Sequence, residues 1–311
     1  MKTAIIVILI IIFVLVLLFL AMLVFLASYV SMPKSSLKSS REWEEQHGFW
    51  RDFDKYETKD YIIKSFDGYE LHTFFVPNKQ FPDSRKFVII THGFTSSRYG
   101  ALKYMFSWHS LGYQCVIYDD RHHGANKKGF FNPCTLGILE SKDLMAVIND
   151  TYERYGKDIY LGLQGESMGS ATQINAIAYK PKVHFMVCDC GFSDLFNVLK
   201  VGICDIFKLP AWIIYPASVV NRILYRWDFF KDRPIDCLKD NTVPICFVHG
   251  ADDDFIVCDN SKRMAEANPS YTELHLFPNA KHAESMYSDE KTYFSMLESF
   301  LKKVVDNEKV L

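Results

Sequence analysis

Several things are missing from this sequence, and each absence narrows the options. It has no Cys-x-x-Cys and no His-Glu-x-x-His, so no metal site is legible, and no dinucleotide-binding motif is present either. It has no surplus of one charge. The 35 Lys and Arg against 37 Asp and Glu give a formal net charge of −2. That speaks against a nucleic-acid partner, since such binders need a concentrated basic face to displace counterions from phosphates. No internal repeat occurs, and no low-complexity tract beyond the N-terminal run. A disulfide framework is unexpected in a chain of this size. Cys115, Cys188, Cys190 and Cys246 fall in apolar, strand-like runs, where a thiol behaves as a small buried hydrophobe. Cys188-x-Cys190 would point its side chains to opposite faces of a strand.

No polar residue interrupts the stretch from Ala4 to Ala27. As a helix it would be about 36 Å long, enough to cross a hydrocarbon core of about 30 Å with some tilt. Residues 1–30 are therefore expected to form a single-pass membrane anchor. A cleaved signal peptide is the rival reading, but its apolar region runs only about 7–15 residues before a small-x-small site. Ser28-Tyr29-Val30 offers no such site. A buried core helix would need polar punctuation. Lys2 precedes the span and Lys34, Lys38 and Arg41 follow it, so the positive-inside rule points the rest of the chain, by a small margin, to the cytoplasm.

Residues 31–60 are polar and read as a juxtamembrane linker. Across 61–311, apolar runs alternate with helical patterns. Strands are expected at Glu70–Val76, Phe87–Thr91, Gln114–Tyr118, Ile159–Leu163, His184–Cys188, Pro244–Val248 and Glu273–Phe277. Helices are expected at Leu139–Tyr155, Ala171–Tyr179 and Glu290–Val304. Continuous apolar strands separated by helices predict an α/β domain, its mainly parallel sheet covered on both faces. Reactive groups in such sheets gather at the carboxyl ends of the strands. The stretch from about 196 to 240 breaks the alternation with a long apolar and aromatic insertion, expected to be a helical cap.

The strongest local signal is Gly165-Glu166-Ser167-Met168-Gly169, between a strand and a helix. A strand that turns sharply into a helix strains the serine backbone, and small flanking residues avoid collisions. The hydroxyl is pushed into the open at a helix N-terminus, where a backbone amide can meet a developing oxyanion. A serine nucleophile needs a base beside it and an acid to orient that base. Downstream strands end in His249-Gly250-Ala251-Asp252-Asp253-Asp254-Phe255-Ile256 and in Pro278-Asn279-Ala280-Lys281-His282-Ala283-Glu284, giving the order Ser, Asp, His.

With these motifs the chain resembles the α/β-hydrolase superfamily over roughly residues 60–305. It is similar to the serine-aminopeptidase-like and lysophospholipase-like branches and to membrane-anchored bacterial relatives of them. The resemblance implies Ser167 as nucleophile, His282 as base and Asp253 as acid, with Asp252 and Asp254 as adjacent alternatives. His275, inside a strand, is a poorer base, and His249 is expected to be a structural turn residue. By the same resemblance the amides of Phe94, in His92-Gly93-Phe94-Thr95, and of Met168 form the oxyanion hole, with His92 in support. Asp119-Asp120-Arg121-His122-His123-Gly124 resembles the family's Asp-x-Arg-Gly-His-Gly turn, with His122 where glycine is usual; its charges are expected to hold the turn. Glu166 is expected to be an exposed carboxylate.

The implied activity is serine hydrolysis of a carboxylic ester, small or lipid-derived, with no cofactor. Amide or peptide hydrolysis and acyl transfer share the same acyl-enzyme. A non-catalytic scaffold on the same fold is the alternative from outside enzymology.

Overall fold

The computed structural model describes residues 2–231 and 233–308. Eight strands form one sheet: β1 (Lys59–Lys64), β2 (Glu70–Val76), β3 (Lys86–Thr91), β4 (Gln114–Tyr118), β5 (Tyr160–Glu166), β6 (Phe185–Asp189), β7 (Ile245–Gly250) and β8 (Thr272–Phe277). Their spatial order is β1-β2-β4-β3-β5-β6-β7-β8. β1 pairs with β2, and β2 with β4, in antiparallel fashion, and all other pairings are parallel. The fold is thus the mainly parallel α/β sheet that the apolar runs predict. β1 is the strand without such a run. It lies at the sheet edge and buries Ile63 alone, so it needs little apolar content.

The helices follow in chain order: α1 (Lys2–Ser31), α2 (Leu37–Gln46), α3 (Leu102–Ser110), α4 (Ile138–Tyr155), α5 (Met168–Ala176), α6 (Leu195–Val201), α7 (Ile214–Tyr225), α8 (Pro234–Cys237), α9 (Asp259–Ala267), α10 (Ser285–Ser288) and α11 (Glu290–Glu308). One sheet face packs on α3 and α11 through Trp108, Tyr104, Tyr293 and Phe300. The other packs on α4, α5 and α9 through Leu144, Val147, Ile174 and Met264. Both faces are covered, so β3, β4, β6 and β7 are buried along nearly their whole length.

Between β6 and β7 the chain leaves the sheet as α6, a π-helical turn at Gly202–Ile206, and α7. This is the cap insertion. It has its own apolar cluster, and α1 is part of it: Leu23, Leu26 and Ala27 pack with Ile203, Ile213, Ala217 and Trp227. Residues 2–21 of α1 are exposed, and the helix is long and apolar enough to cross a membrane.

Residues 31–60 are more structured than their polar composition suggests. Ser36 caps α2 by accepting a hydrogen bond from the Ser39 amide at 3.0 Å. Phe49, Trp50 and Phe53 are buried in the main core. The second half of this segment is therefore packed onto the domain.

Candidate active site

The sharp turn from β5 to α5 leaves Ser167 at φ 53°, ψ −111°, a conformation that costs a non-glycine residue free energy and persists only where its surroundings fix it. Gly169 is what lets the turn close. A Cβ there would stand 2.3 Å from the Thr91 carbonyl oxygen at the end of β3.

At this turn the structure brings together the three residues named from the sequence. Ser167 Oγ lies 3.0 Å from His282 Nε2, and His282 Nδ1 lies 2.7 Å from Asp253 Oδ2. Facing a carboxylate, Nδ1 carries the ring proton, which leaves Nε2 to accept from the serine. Asp253 Oδ1 in turn accepts from the amides of Phe255 (3.0 Å) and Ile256 (2.8 Å). Burial would raise this carboxyl, but hydrogen bonds from His249 and His282 outweigh it and hold the group at about 2. Asp252 and Asp254 are exposed, and His275 pairs with Glu273 at 2.8 Å on the edge strand β8.

His249 does more than close a turn. Fully buried, its Nε2–H donates to the Ile256 carbonyl (2.6 Å) and to Asp253 Oδ2 (3.2 Å), while Nδ1 accepts from Ser261 Oγ at 2.7 Å. It thus clamps the Asp253 loop.

The loop after β3 is held by two buried imidazoles. His92 donates to the Gly93 carbonyl (2.8 Å) and accepts from the Asp120 amide (3.0 Å). His123 donates to the Arg121 carbonyl (2.8 Å) and accepts from the Thr95 amide (3.3 Å). Burial lowers both below the ordinary histidine range, which keeps them neutral and able to accept. The amides of Phe94, in this loop, and of Met168, at the start of α5, have no acceptor among the described residues. In the neighbouring turn Asp119 binds Arg98 (2.7 Å), and Arg121 binds Asp143 (2.6 Å). His122, where the resembling family usually has glycine, takes a left-handed backbone, with φ 65°, that glycine adopts without strain.

The expectation for Glu166 is corrected: its carboxylate is buried, not exposed. The end of β5 turns this side chain beneath the elbow. There it forms an ion pair with Lys103 and accepts from Tyr104 Oη at 2.8 Å. The same Tyr104 hydroxyl lies 2.9 Å from buried Asp189. Lys103 and Tyr104 lie on α3, more than sixty residues earlier, and no local pattern links them to the elbow.

Two recesses meet at His282. One is an apolar cavity of about 300 Å³ bounded by Leu26, Leu199, Ile203, Phe207 and Phe255, with Ser167 and Met168 at its floor. The other is more polar, with Ser40, Glu44, Lys103 and Tyr287 among its lining residues, together with Phe94 and Thr95. Ser40 Oγ and Glu44 Oε2 are buried there without a hydrogen-bond partner among the described residues.

No family model matches the chain. Among curated proteins it is similar to YqkD of Bacillus subtilis, an uncharacterized protein, with 26% identity over 273 residues, 86% of this chain and 87% of the relative. Among solved structures it is similar to an esterase of Pyrococcus furiosus, with a TM-score of 0.67 and 22% identity, covering 84% of this chain and 93% of the other. It is also similar to the acylaminoacyl peptidase of Pyrococcus horikoshii (TM-score 0.60, 16% identity), covering 80% of this chain but 42% of that longer one. The sheet order, the strained turn between β5 and α5 and these neighbours agree, and the chain has the α/β-hydrolase fold.

Proposed function

We propose that this chain is a membrane-anchored serine hydrolase that cleaves carboxylic esters through an acyl-enzyme. The observation that carries the reading is the relay Ser167–His282–Asp253 at a strained elbow, with hydrogen bonds of 3.0 and 2.7 Å. His282 Nε2 takes the Ser167 proton as Oγ attacks the ester carbonyl carbon. Asp253 keeps the imidazole in the required tautomer and stabilises the imidazolium. The tetrahedral oxyanion is met by the amides of Phe94 and Met168, assisted by the α5 dipole. His282 then protonates the departing alcohol, and the acyl group stays on Oγ. Water enters, gives its proton to His282 and attacks the acyl carbon; the carboxylate leaves and Ser167 recovers its proton. The cycle uses these side chains, two backbone amides and water.

The two recesses support a division of the substrate, with the acyl group in the apolar cavity and the alcohol on the polar side. Amide hydrolysis is the second reading, favoured by the likeness to an acylaminoacyl peptidase and sharing every step above. The α1 span supports attachment to a membrane.

The test uses the full chain in detergent with p-nitrophenyl acetate, butyrate and octanoate, the matching anilides, and a fluorophosphonate label. The wild type is expected to hydrolyse esters and to take the label, and Ser167→Ala to lose about 10⁴-fold or more in kcat. Anilide turnover comparable to ester turnover would promote the second reading. A wild type that neither labels nor turns over any ester would sink both.

A further inference from the structure

The helix that would anchor the chain is also a wall of its candidate site. Leu26, Tyr29 and Val30, in the last two turns of α1, line the same apolar cavity as Ser167 and His282. They are held there by specific contacts. Ser31 Oγ donates to Asn221 Oδ1 at 2.7 Å and accepts from Trp227 Nε1 at 3.0 Å. Ser28 Oγ and Tyr225 Oη lie 2.8 Å apart. Phe207 packs edge-on to both Phe25 and Tyr29, at 5.8 and 5.2 Å.

The outer side of the cap also touches the exposed part of α1. Trp212, more than half exposed, stacks on Phe19 at 6.2 Å. Phe19 lies eight residues inside the end of the apolar run, about 12 Å along the helix axis. On α7 the buried residues Ala217, Ser218, Asn221 and Tyr225 mark the face turned inward, while Tyr215, Val219 and Ile223 form an exposed apolar stripe. A solvated cap would not present such a stripe beside a lipid-length helix, whereas an interfacial helix needs one. Ile206 both lines the cavity and is more than half exposed, so the cavity reaches the surface beside α1, at the end of the apolar run.

We propose that the cavity takes the acyl chain of a membrane lipid ester, which enters from the bilayer along the last turns of α1. Leu26, Tyr29 and Val30 set the chain length the site accepts. The proposal rests on the ester-hydrolase reading and adds to it a substrate class and a source. The cap sits in the interface with its stripe in lipid. The ester carbonyl, at the level of the headgroups, reaches Ser167, and the acyl chain stays in an apolar environment throughout.

Two measurements on the full chain in phosphatidylcholine vesicles test it. The first compares turnover of p-nitrophenyl decanoate with that of the acetate. Leu26→Trp fills the wall and is expected to lower the decanoate-to-acetate ratio about tenfold. Tyr29→Ala, at a half-exposed position that tolerates truncation, is expected to move the optimum to longer chains. Leu15→Trp, the same kind of change on the lipid-facing part of α1, is expected to leave the ratio alone. The second measurement holds the bulk concentration of 4-methylumbelliferyl oleate constant and dilutes it with added phospholipid. A rate that falls with the substrate's mole fraction in the bilayer supports entry from the membrane. Ratios unchanged in both wall variants, or a rate that follows bulk concentration, would overturn the proposal while leaving a labelled, acetate-hydrolysing enzyme intact. Absence of fluorophosphonate labelling would instead mark failure of the hydrolase reading itself.

Discussion

Lys103 and Glu166 form an ion pair in the interior directly beneath the elbow serine, one from α3 and one from the last residue of β5. Burial alone would lower the lysine, and the Glu166 carboxylate outweighs it and raises the group. A second donor, Tyr104, and the Ala283 carbonyl, 3.0 Å from Nζ, complete the arrangement. The pair therefore ties α3, the elbow and the His282 loop to one another.

Removing one partner leaves a buried charge without compensation. Lys103→Met is expected to destabilise the protein by about 3–5 kcal/mol. The double variant Lys103→Met with Glu166→Gln should recover much of that loss. Thermal unfolding followed by tryptophan fluorescence checks both. A single variant as stable as the wild type would show that the pair carries no structural load.

The orienting role proposed for Asp253 is tested by Asp253→Asn, which keeps the shape of the side chain and removes the charge. The expected result is a fall in kcat of about 10⁴-fold with little change in melting temperature. His249→Gln, which loosens the clamp on the Asp253 loop, should lower kcat by a smaller factor, about tenfold. A loss in the histidine variant equal to that of Asp253→Asn would mean that His249 has been given too small a part.

Stability should peak in mildly acidic solution, because two kinds of carboxyl act with opposite sign. Asp253 is held at about 2 by its histidine partners against burial, below its ordinary value of about 3.9. Its stabilisation, about 2–3 kcal/mol, is complete above about pH 4 and is lost as pH falls towards about 2. Glu44 is raised to about 7, mainly by burial, and Asp189 to about 6 by burial and by Glu166. Their contributions are complete below about pH 4 and are lost as pH rises through about 6 to 7. The melting temperature should therefore climb between about pH 2 and 4, decline between about pH 4 and 7, and level off above that. Glu44→Gln should flatten that decline, and a decline unchanged in this variant would remove Glu44 as its source.

Gly169→Ala places a methyl group on the Thr91 carbonyl, a backbone atom that cannot move aside. The expected cost is about 3 kcal/mol or more, with loss of fluorophosphonate labelling as the turn opens. Gly202→Ala, where a Cβ would meet nothing within 4 Å, serves as the comparison. Equal behaviour of the two variants would refute the packing account of the elbow.

Much of the architecture was readable because it is written locally. β3, β4, β6 and β7 are largely apolar runs, and the Gly-x-Ser-x-Gly turn lies where a further strand, β5, meets a helix. Ser167, Asp253 and His282 each follow a strand end, so the sheet alone brings them together. What escaped the sequence depends on distant partners. Glu166 looks like a surface carboxylate until Lys103 is folded against it. The polar composition of residues 31–60 hides Phe49, Trp50 and Phe53, three aromatic residues that dock the segment. The contact of α1 with the cap is marked by no residue within the apolar run, only by Ser28 and Ser31 just beyond it. That run is apolar on every side of the helix, so nothing in it distinguishes the face that touches α7 from the exposed faces.

That shared helix makes address and competence a single property. If Leu26, Tyr29 and Val30 complete the acyl cavity, a protease that severed the chain just after Ser31 would release the domain and breach its cavity in the same cut. A shed copy would be a poor hydrolase for long-chain esters elsewhere. Confinement of the activity would then need no inhibitor, because the enzyme would be whole only where it is tethered.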